Sequence, residues 1–205
     1  MNFLAHLWLA GDDEGLRLGA LLGDFIRGGL DNKGLPKPIQ RGILLHRHVD
    51  HFIDDLPEMA ALRQQFLPPF RRYSGIIIDV AFDHELAVRW EAYSSVSLAQ
   101  FDSDLRQLLA RYGALLPDDL RQLMRYADRR GLFAAYRDES EILVTLSGIG
   151  RRLSRPNPLY RVSEIWPTMR PVFSSGFDQI FPQVQRSVTT WLGASVAEER
   201  AQRTA

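Results

Sequence analysis

The sequence predicts an all-α fold, a single-domain helical bundle, and three observations carry that expectation. Apolar residues recur at mixed three- and four-residue spacing, as one face of a helix requires. Glycine and proline interrupt those stretches where helices stop and start. The chain has 205 residues, 45% apolar and 24% charged, enough for one domain to bury a core without staples.

The elements follow in order. MNFLAHLWLAGDDEG opens on an apolar run that holds His6 and turns acidic at Asp12, Asp13 and Glu14. Lacking a basic leader, it reads as a buried first element, not a signal. EGLRLGALLGDFIRGG is second and stops at Gly28-Gly29. The third begins near Pro36 and Pro38, where proline suits a first turn, and continues through Ile39, Ile43, Leu44, Val49, Phe52 and Ile53. Pro57 closes it and opens PEMAALRQQFLP, which ends at Pro68-Pro69. GIIIDVAFDHELAVRWEAY starts with three β-branched residues, Ile76 to Ile78. Its length, with Leu86, Ala87, Val88 and Trp90 following, favours a helix buried on most sides. Further helices fit 98–112, 117–130, 138–152 and about 163–192. The domain is placed at 1–192, and the tail 193–205, poor in large apolar residues, is expected to fray.

Charge and composition exclude several classes. With 25 basic and 25 acidic residues the net charge is zero, so no overall field favours nucleic acid or a membrane surface. No apolar run approaches the roughly 20 residues of a membrane span. The chain has no cysteine, which removes disulfides, thiolate metal sites and a cysteine nucleophile, and suits a cytoplasmic location.

Histidine is where the pattern departs from chance. All five (His6, His46, His48, His51 and His84) lie in the first 84 residues, three of them in HRHVDHFIDD at 46–55. Residues four apart share a helical face, so His46 and Asp50 form one pair and Asp79 and Asp83 another, with His84 beside the second. If the two faces oppose, imidazoles and carboxylates converge, a donor set that suits Mn, Fe, Zn or Mg. Asp79 and Asp83 sit among Ile76–Ile78, Val80, Ala81 and Phe82. Buried carboxylates one turn apart repel and are costly to desolvate, and a cation between them would relieve both problems. Asp24, in LLGDFIRG, either pairs with Arg27 or joins such a site. His6, flanked by Leu4, Ala5, Leu7 and Trp8, is either a hydrogen-bonded core histidine or a functional one. His48 points off the His46/Asp50 face, and His51, Asp54 and Asp55 read as a solvated helix end. A second charge feature is RRLSRPNPLYR, which holds Arg151, Arg152, Arg155 and Arg161 without an acid; Arg71-Arg72 precedes the 75–93 helix and Arg47 adjoins His46. These arginines are either a solvated edge or a docking strip for an anionic partner, since guanidinium forks match phosphate and carboxylate oxygens.

Several stretches in one order resemble the acyl carrier protein phosphodiesterases, also called acyl carrier protein hydrolases. They are MNFLAHLWLA, LLGDFIRG at 21–28, HRHVD at 46–50, DDLPE at 54–58, IDVAFDH at 78–84, YRDESEI from 136 and RRLSRPNPL to 159. The resemblance implies an HD-domain-like helical fold, from an atypical branch of the HD-type metal phosphohydrolases. It also implies Mn²⁺-dependent removal of 4′-phosphopantetheine from the serine of holo-acyl carrier protein, with Mg²⁺ or Fe²⁺ as alternative ions. The order Asp83-His84 reverses the His-Asp pair of ordinary HD enzymes. Carried onto this chain, the implied metal ligands come from His46, Asp50, Asp79, Asp83, His84 and Asp24. His6, Asp24, Arg47 and Asp83 are the implied catalytic groups, and Arg151, Arg152, Arg155, Arg161, Arg71 and Arg72 the expected carrier-protein docking residues. Two rival readings are an HD-type phosphohydrolase of nucleotides or other small diesters, and a non-enzymatic helical module with a structural cation.

Overall fold

A computed structural model describes residues 1–30 and 34–204, with side chains through 194. Every regular element among them is helical. Helix α1 is Phe3–Leu9, α2 Glu14–Leu22, α3 Lys37–Asp54, α4 Pro57–Gln64 and α5 Ser74–Val88. A short α6 (Trp90–Tyr93) precedes α7 (Leu98–Tyr112), α8 (Asp118–Arg129), α9 (Glu139–Arg152) and the long α10 (Trp166–Thr204). The expected tail is helical backbone as far as Thr204, but its side chains from 195 lie outside the described residues.

Local chemistry sets most boundaries. Asp13 caps α2 by accepting from the Leu16 amide at 2.8 Å, and Ser97 caps α7 in the same way. Prolines stand in the first turns of α3 and α4. The isoleucine run at 76–78 is helical, and α5 is buried along most of its length, including Ile77, Ile78, Val80, Phe82 and Leu86. Burial on all sides removes the demand for a polar face. The core is aromatic where α5 meets α10: Phe177 and Phe181 stack at 4.6 Å between centroids, and Phe82 meets Phe177 edge-on at 5.6 Å.

Helices α2 and α3 approach unusually closely because three glycines one turn apart face α3. A methyl on Gly15 would lie 2.4 Å from Pro38 Cβ, one on Gly19 2.2 Å from the Ile39 carbonyl, and one on Gly23 2.2 Å from the His46 ring. Gly42 answers from α3, its own absent methyl falling 2.8 Å from Gly19 Cα. Only glycine permits backbones this near. Helix α1 packs against both α2 and α5, which sets the stage for the site.

Candidate metal centre

Three of these helices meet at a buried pair of histidines. His46, on α3, seats its ring against Gly23 and gives its Nδ1 proton to the Ala20 carbonyl at 2.9 Å. A carbonyl can only accept, so the tautomer is fixed with Nε2 facing inward. His6, on α1, stacks on that ring at 3.9 Å between centroids and 21° between planes. Asp50, one turn beyond His46, bridges the two: Oδ1 lies 3.1 Å from His6 Nε2 and Oδ2 3.1 Å from His46 Nε2. Asp24, in the turn after α2, stands 3.4 Å from His46 Nε2. One ligand atom each from His6, His46 and Asp50 falls within 4.8 Å of the others.

The electrostatics are uneven. Burial works against charge on His46, but hydrogen bonds to Asp24 and Asp50 outweigh it and push the ring up to about 9. On His6 burial and the neighbouring His46 act together and push the pKa down to about 4. Burial opposes ionisation of Asp50, yet His46 and His6 hold it well below the usual carboxylate range. Asp24 is lowered too, its hydrogen bond to His46 outweighing burial. Although His6 Nε2 lies near Asp50, neither of its ring nitrogens is in hydrogen-bond geometry with any partner, and both are buried. A neutral imidazole with an unsatisfied buried nitrogen, beside a second imidazole and an ionised carboxylate, fits a divalent cation by donor type. The carboxylate side chains are 43% exposed for Asp50 and 57% for Asp24, so this side stays open to water and substrate.

The structure brings together His6, Asp24, His46 and Asp50, and it does not bring Asp79, Asp83 and His84 into that group. The expected opposition of α3 and α5 is replaced by α1, which supplies His6 across from His46. The acids of α5 have other partners. Asp79 Oδ1 accepts from the Met1 amine at 3.0 Å. Asp83, fully buried, accepts from the Leu4 and Ala5 amides at 2.8 and 3.1 Å, and burial pushes it up to about 7. His84 gives its Nδ1 proton to the Tyr136 carbonyl at 2.7 Å. Arg47 donates to the Ile26 carbonyl at 2.7 Å, bracing the turn that holds Asp24. His48, read as off the face, bonds Ser187 on α10.

Among the docking candidates, Arg161 is paired with Glu164 at 2.8 Å and Arg151 donates to Ser147 at 3.0 Å. Arg71, Arg72, Arg152 and Arg155 are exposed. The glycine seam at 15, 19 and 23, which seats the His46 ring against Gly23, is not among the features read from the sequence. Its four-residue spacing was the available signal.

Fold and site together define an all-helical protein with a buried His–His–carboxylate cluster suited to a divalent cation. The chain belongs to the acyl carrier protein phosphodiesterase family, whose model matches residues 1–184, and it is a hydrolase. It is 31% identical to an acyl carrier protein phosphodiesterase of Enterobacter sp. (strain 638) over 188 residues, 90% of this chain and 95% of that one. The Serratia proteamaculans protein of the same name is 35% identical over 156 residues, 76% of this chain and 80% of the relative. An Escherichia coli one is 34% identical over 163 residues, 78% and 82%. No solved structure gives a match. Among the described residues, no helix is long and apolar enough to cross a membrane.

Proposed function

We propose that the chain hydrolyses the phosphodiester joining 4′-phosphopantetheine to the serine of holo-acyl carrier protein, using one divalent ion. The observation that supports this reading is the stacked His6–His46 pair bridged by Asp50, with an unsatisfied nitrogen on His6. His6 Nε2, His46 Nε2 and Asp50 would hold the ion, and Asp24 would face it from the open side. Two imidazoles favour Mn²⁺ or Fe²⁺ over Mg²⁺, which prefers oxygen ligands. A bound ion supplies Lewis acidity, lowering the pKa of a water and polarising a phosphoryl oxygen.

The chain's own residues do the rest. Asp24, ionised and exposed, accepts a proton from the attacking water and passes it to the serine oxygen as the phosphorus–oxygen bond breaks. Arg47 steadies the Asp24 turn through Ile26, and its other N–H groups offer positive charge to the departing serine oxygen. His6 is neutral near pH 7 and buried, so it serves as a ligand and not as the acid. Asp79, Asp83 and His84 support the position of α1 and the turn around Tyr136.

A mass spectrum of holo-carrier protein incubated with this protein and Mn²⁺ tests the reading. Loss of the phosphopantetheine arm is expected, abolished by chelator and restored by Mn²⁺. His46→Ala and Asp50→Ala should each lose at least about 10³-fold in rate, removing a ligand and the ion with it. Full turnover by the chelated protein, or an intact arm after incubation with metal, would overturn it.

A further inference from the structure

Much of the surface arginine on this molecule is neutralised in place. Arg17 pairs with Asp12, Arg89 with Glu85 and Asp178, Arg130 with Glu141, and Arg137 with Glu91. Other exposed arginines, among them Arg125 and Arg129 on α8, have no such partner among the described residues, and two segments bring four of these together. The 3₁₀ turn Arg71–Tyr73 ahead of α5 presents Arg71 and Arg72, and the end of α9 with its following loop presents Arg152 and Arg155. None of these four has an ion-pair partner among the described residues.

The two segments are far apart in sequence yet form one surface, because the Tyr73 hydroxyl donates to the Pro156 carbonyl at 3.2 Å. The second is held in shape by Asn157, whose Nδ2 donates to the Gly150 and Arg155 carbonyls at 2.8 and 3.1 Å. Beside the four arginines stand Leu67, 75% exposed, and Tyr160, 69% exposed, the two most exposed of the large apolar side chains described. Unpaired cations on a fixed scaffold, with solvent-facing apolar anchors, have the composition of a protein-docking surface.

The position suits the substrate. The arginine turn runs directly into α5, and Asp83, eleven residues beyond Arg72, grips the start of the helix that carries His6. From the start of α5 at Ser74 to Asp83, at 1.5 Å per residue, the distance is about 14 Å, within the span of one small helical domain. We infer that Arg71, Arg72, Arg152 and Arg155, with Leu67 and Tyr160, dock an acidic face of the carrier protein while its modified serine reaches the metal centre. This rests on the reading that a carrier protein is the substrate. It leaves Arg161 out, since Glu164 already neutralises it.

Docking by opposite charge acts on encounter and affinity more than on chemistry. The test is steady-state kinetics of the Mn²⁺-loaded protein on holo-carrier protein. Arg71→Glu/Arg72→Glu and Arg152→Glu/Arg155→Glu should each raise KM about 10- to 100-fold and leave kcat within about twofold. Added salt should raise the wild-type KM and flatten in the variants. Leu67→Ser should raise KM severalfold at any salt. Melting temperature and Mn²⁺ affinity, unchanged in all three, show that the variants fold. Unchanged KM in both double variants, with normal wild-type turnover, overturns this surface alone. An equal rise in Arg129→Glu, a reversal elsewhere on the molecule, overturns it as well, because bulk charge would then be the cause. Failure of the wild type to act on carrier protein overturns the functional reading beneath it.

Discussion

Burial and the neighbouring His46 together outweigh the pull of Asp50 on His6, and its pKa falls to about 4. Its neighbour His46 is equally buried but has a carbonyl behind it and two carboxylates in front. The pair therefore offers one lone pair outright and one that a cation must compete for with a proton. If His6 is a ligand, His6→Ala should weaken Mn²⁺ binding by at least about 10²-fold by calorimetry, the scale on which whole ligands exceed outer-shell partners. Affinity within threefold of wild type would remove His6 from the centre. Asp83 acts one step back, through the two amides at the start of α1. Asp83→Asn should weaken Mn²⁺ binding about 10- to 100-fold by letting His6 drift, with kcat falling and KM steady. A purely structural Asp83 would lower the melting temperature and leave affinity of the folded protein alone. The sequence showed the need for compensation at Asp79 and Asp83 but not its source. A buried carboxylate can be relieved by a cation or by aimed N–H groups; the start of α1 does this for Asp83, while Asp79, 40% exposed, is less buried than its apolar neighbours in the sequence suggest and meets the Met1 amine. His46 and Asp50 were legible because their relation is local, one turn on one helix; His6 was legible only as an isolated polar group, because its partner lies forty residues away across an interface.

Element boundaries were legible for a similar reason. Ser97 and Asp138 cap α7 and α9 from within a few residues, and helices expected at 98–112 and 138–152 form at Leu98–Tyr112 and Glu139–Arg152. How closely two helices approach is not a local property, and the four-residue spacing of Gly15, Gly19 and Gly23 marks a smooth face on α2 without saying which helix packs on it. Gly19 and Gly23 make separable predictions. A methyl on Gly19 meets the Ile39 carbonyl and Gly42 Cα, backbone atoms that cannot rotate away. Overpacking on the order of 1–3 kcal/mol or more then exceeds the ~1 kcal/mol that alanine gains in a helix. We expect Gly19→Ala to lower the denaturation midpoint, with metal affinity per folded molecule retained. A methyl on Gly23 meets the His46 ring instead, so Gly23→Ala should lose Mn²⁺ affinity and turnover out of proportion to stability. Metal affinity falling in proportion to stability in both variants would contradict the seam's division of labour. Asp102 gives a pH signature at the same scale. It is buried on α7, accepts from the Phe133 and Ala134 amides at 3.2 and 2.9 Å, and burial pushes it up to about 6. The folded state thus holds this proton more tightly than the unfolded chain, whose carboxyl titrates near 4. Stability contributed here is full below about pH 4 and is lost as pH rises through about 6. Urea melts at pH 4.5 and 6.5 should show Asp102→Asn gaining on wild type by on the order of 2 kcal/mol at the higher pH; parallel behaviour of the two proteins would refute the assignment.

At the scale of the whole molecule, the centre joins three parts of the chain: α1 through His6, the turn after α2 through Asp24, and α3 through His46 and Asp50. The helical class followed from periodicity and punctuation. The convergence did not, since it depends on α1 lying against both α2 and α5 and on a seam without side chains. An ion bound at such a junction binds the folded chain and has no equivalent site in the unfolded one, so it must raise stability by mass action. At free Mn²⁺ about 100-fold above its dissociation constant the gain is about 2.7 kcal/mol, which for a chain of this size is about 5–11 °C in melting temperature. Chelator should reverse the shift. His46→Ala should abolish it while the metal-free variant still melts cooperatively, because the aromatic core between α5 and α10 is untouched. The size of the shift also separates two roles for the ion. A purely structural cation would give the shift with no turnover of any phosphodiester, whereas a catalytic one ties both to the same residues, so that Asp24→Ala, on the open side, should lose most of the turnover and little of the thermal shift. A melting temperature indifferent to Mn²⁺ in the wild type would show that these four side chains hold no ion, and the hydrolytic chemistry would have to be sought elsewhere in the fold.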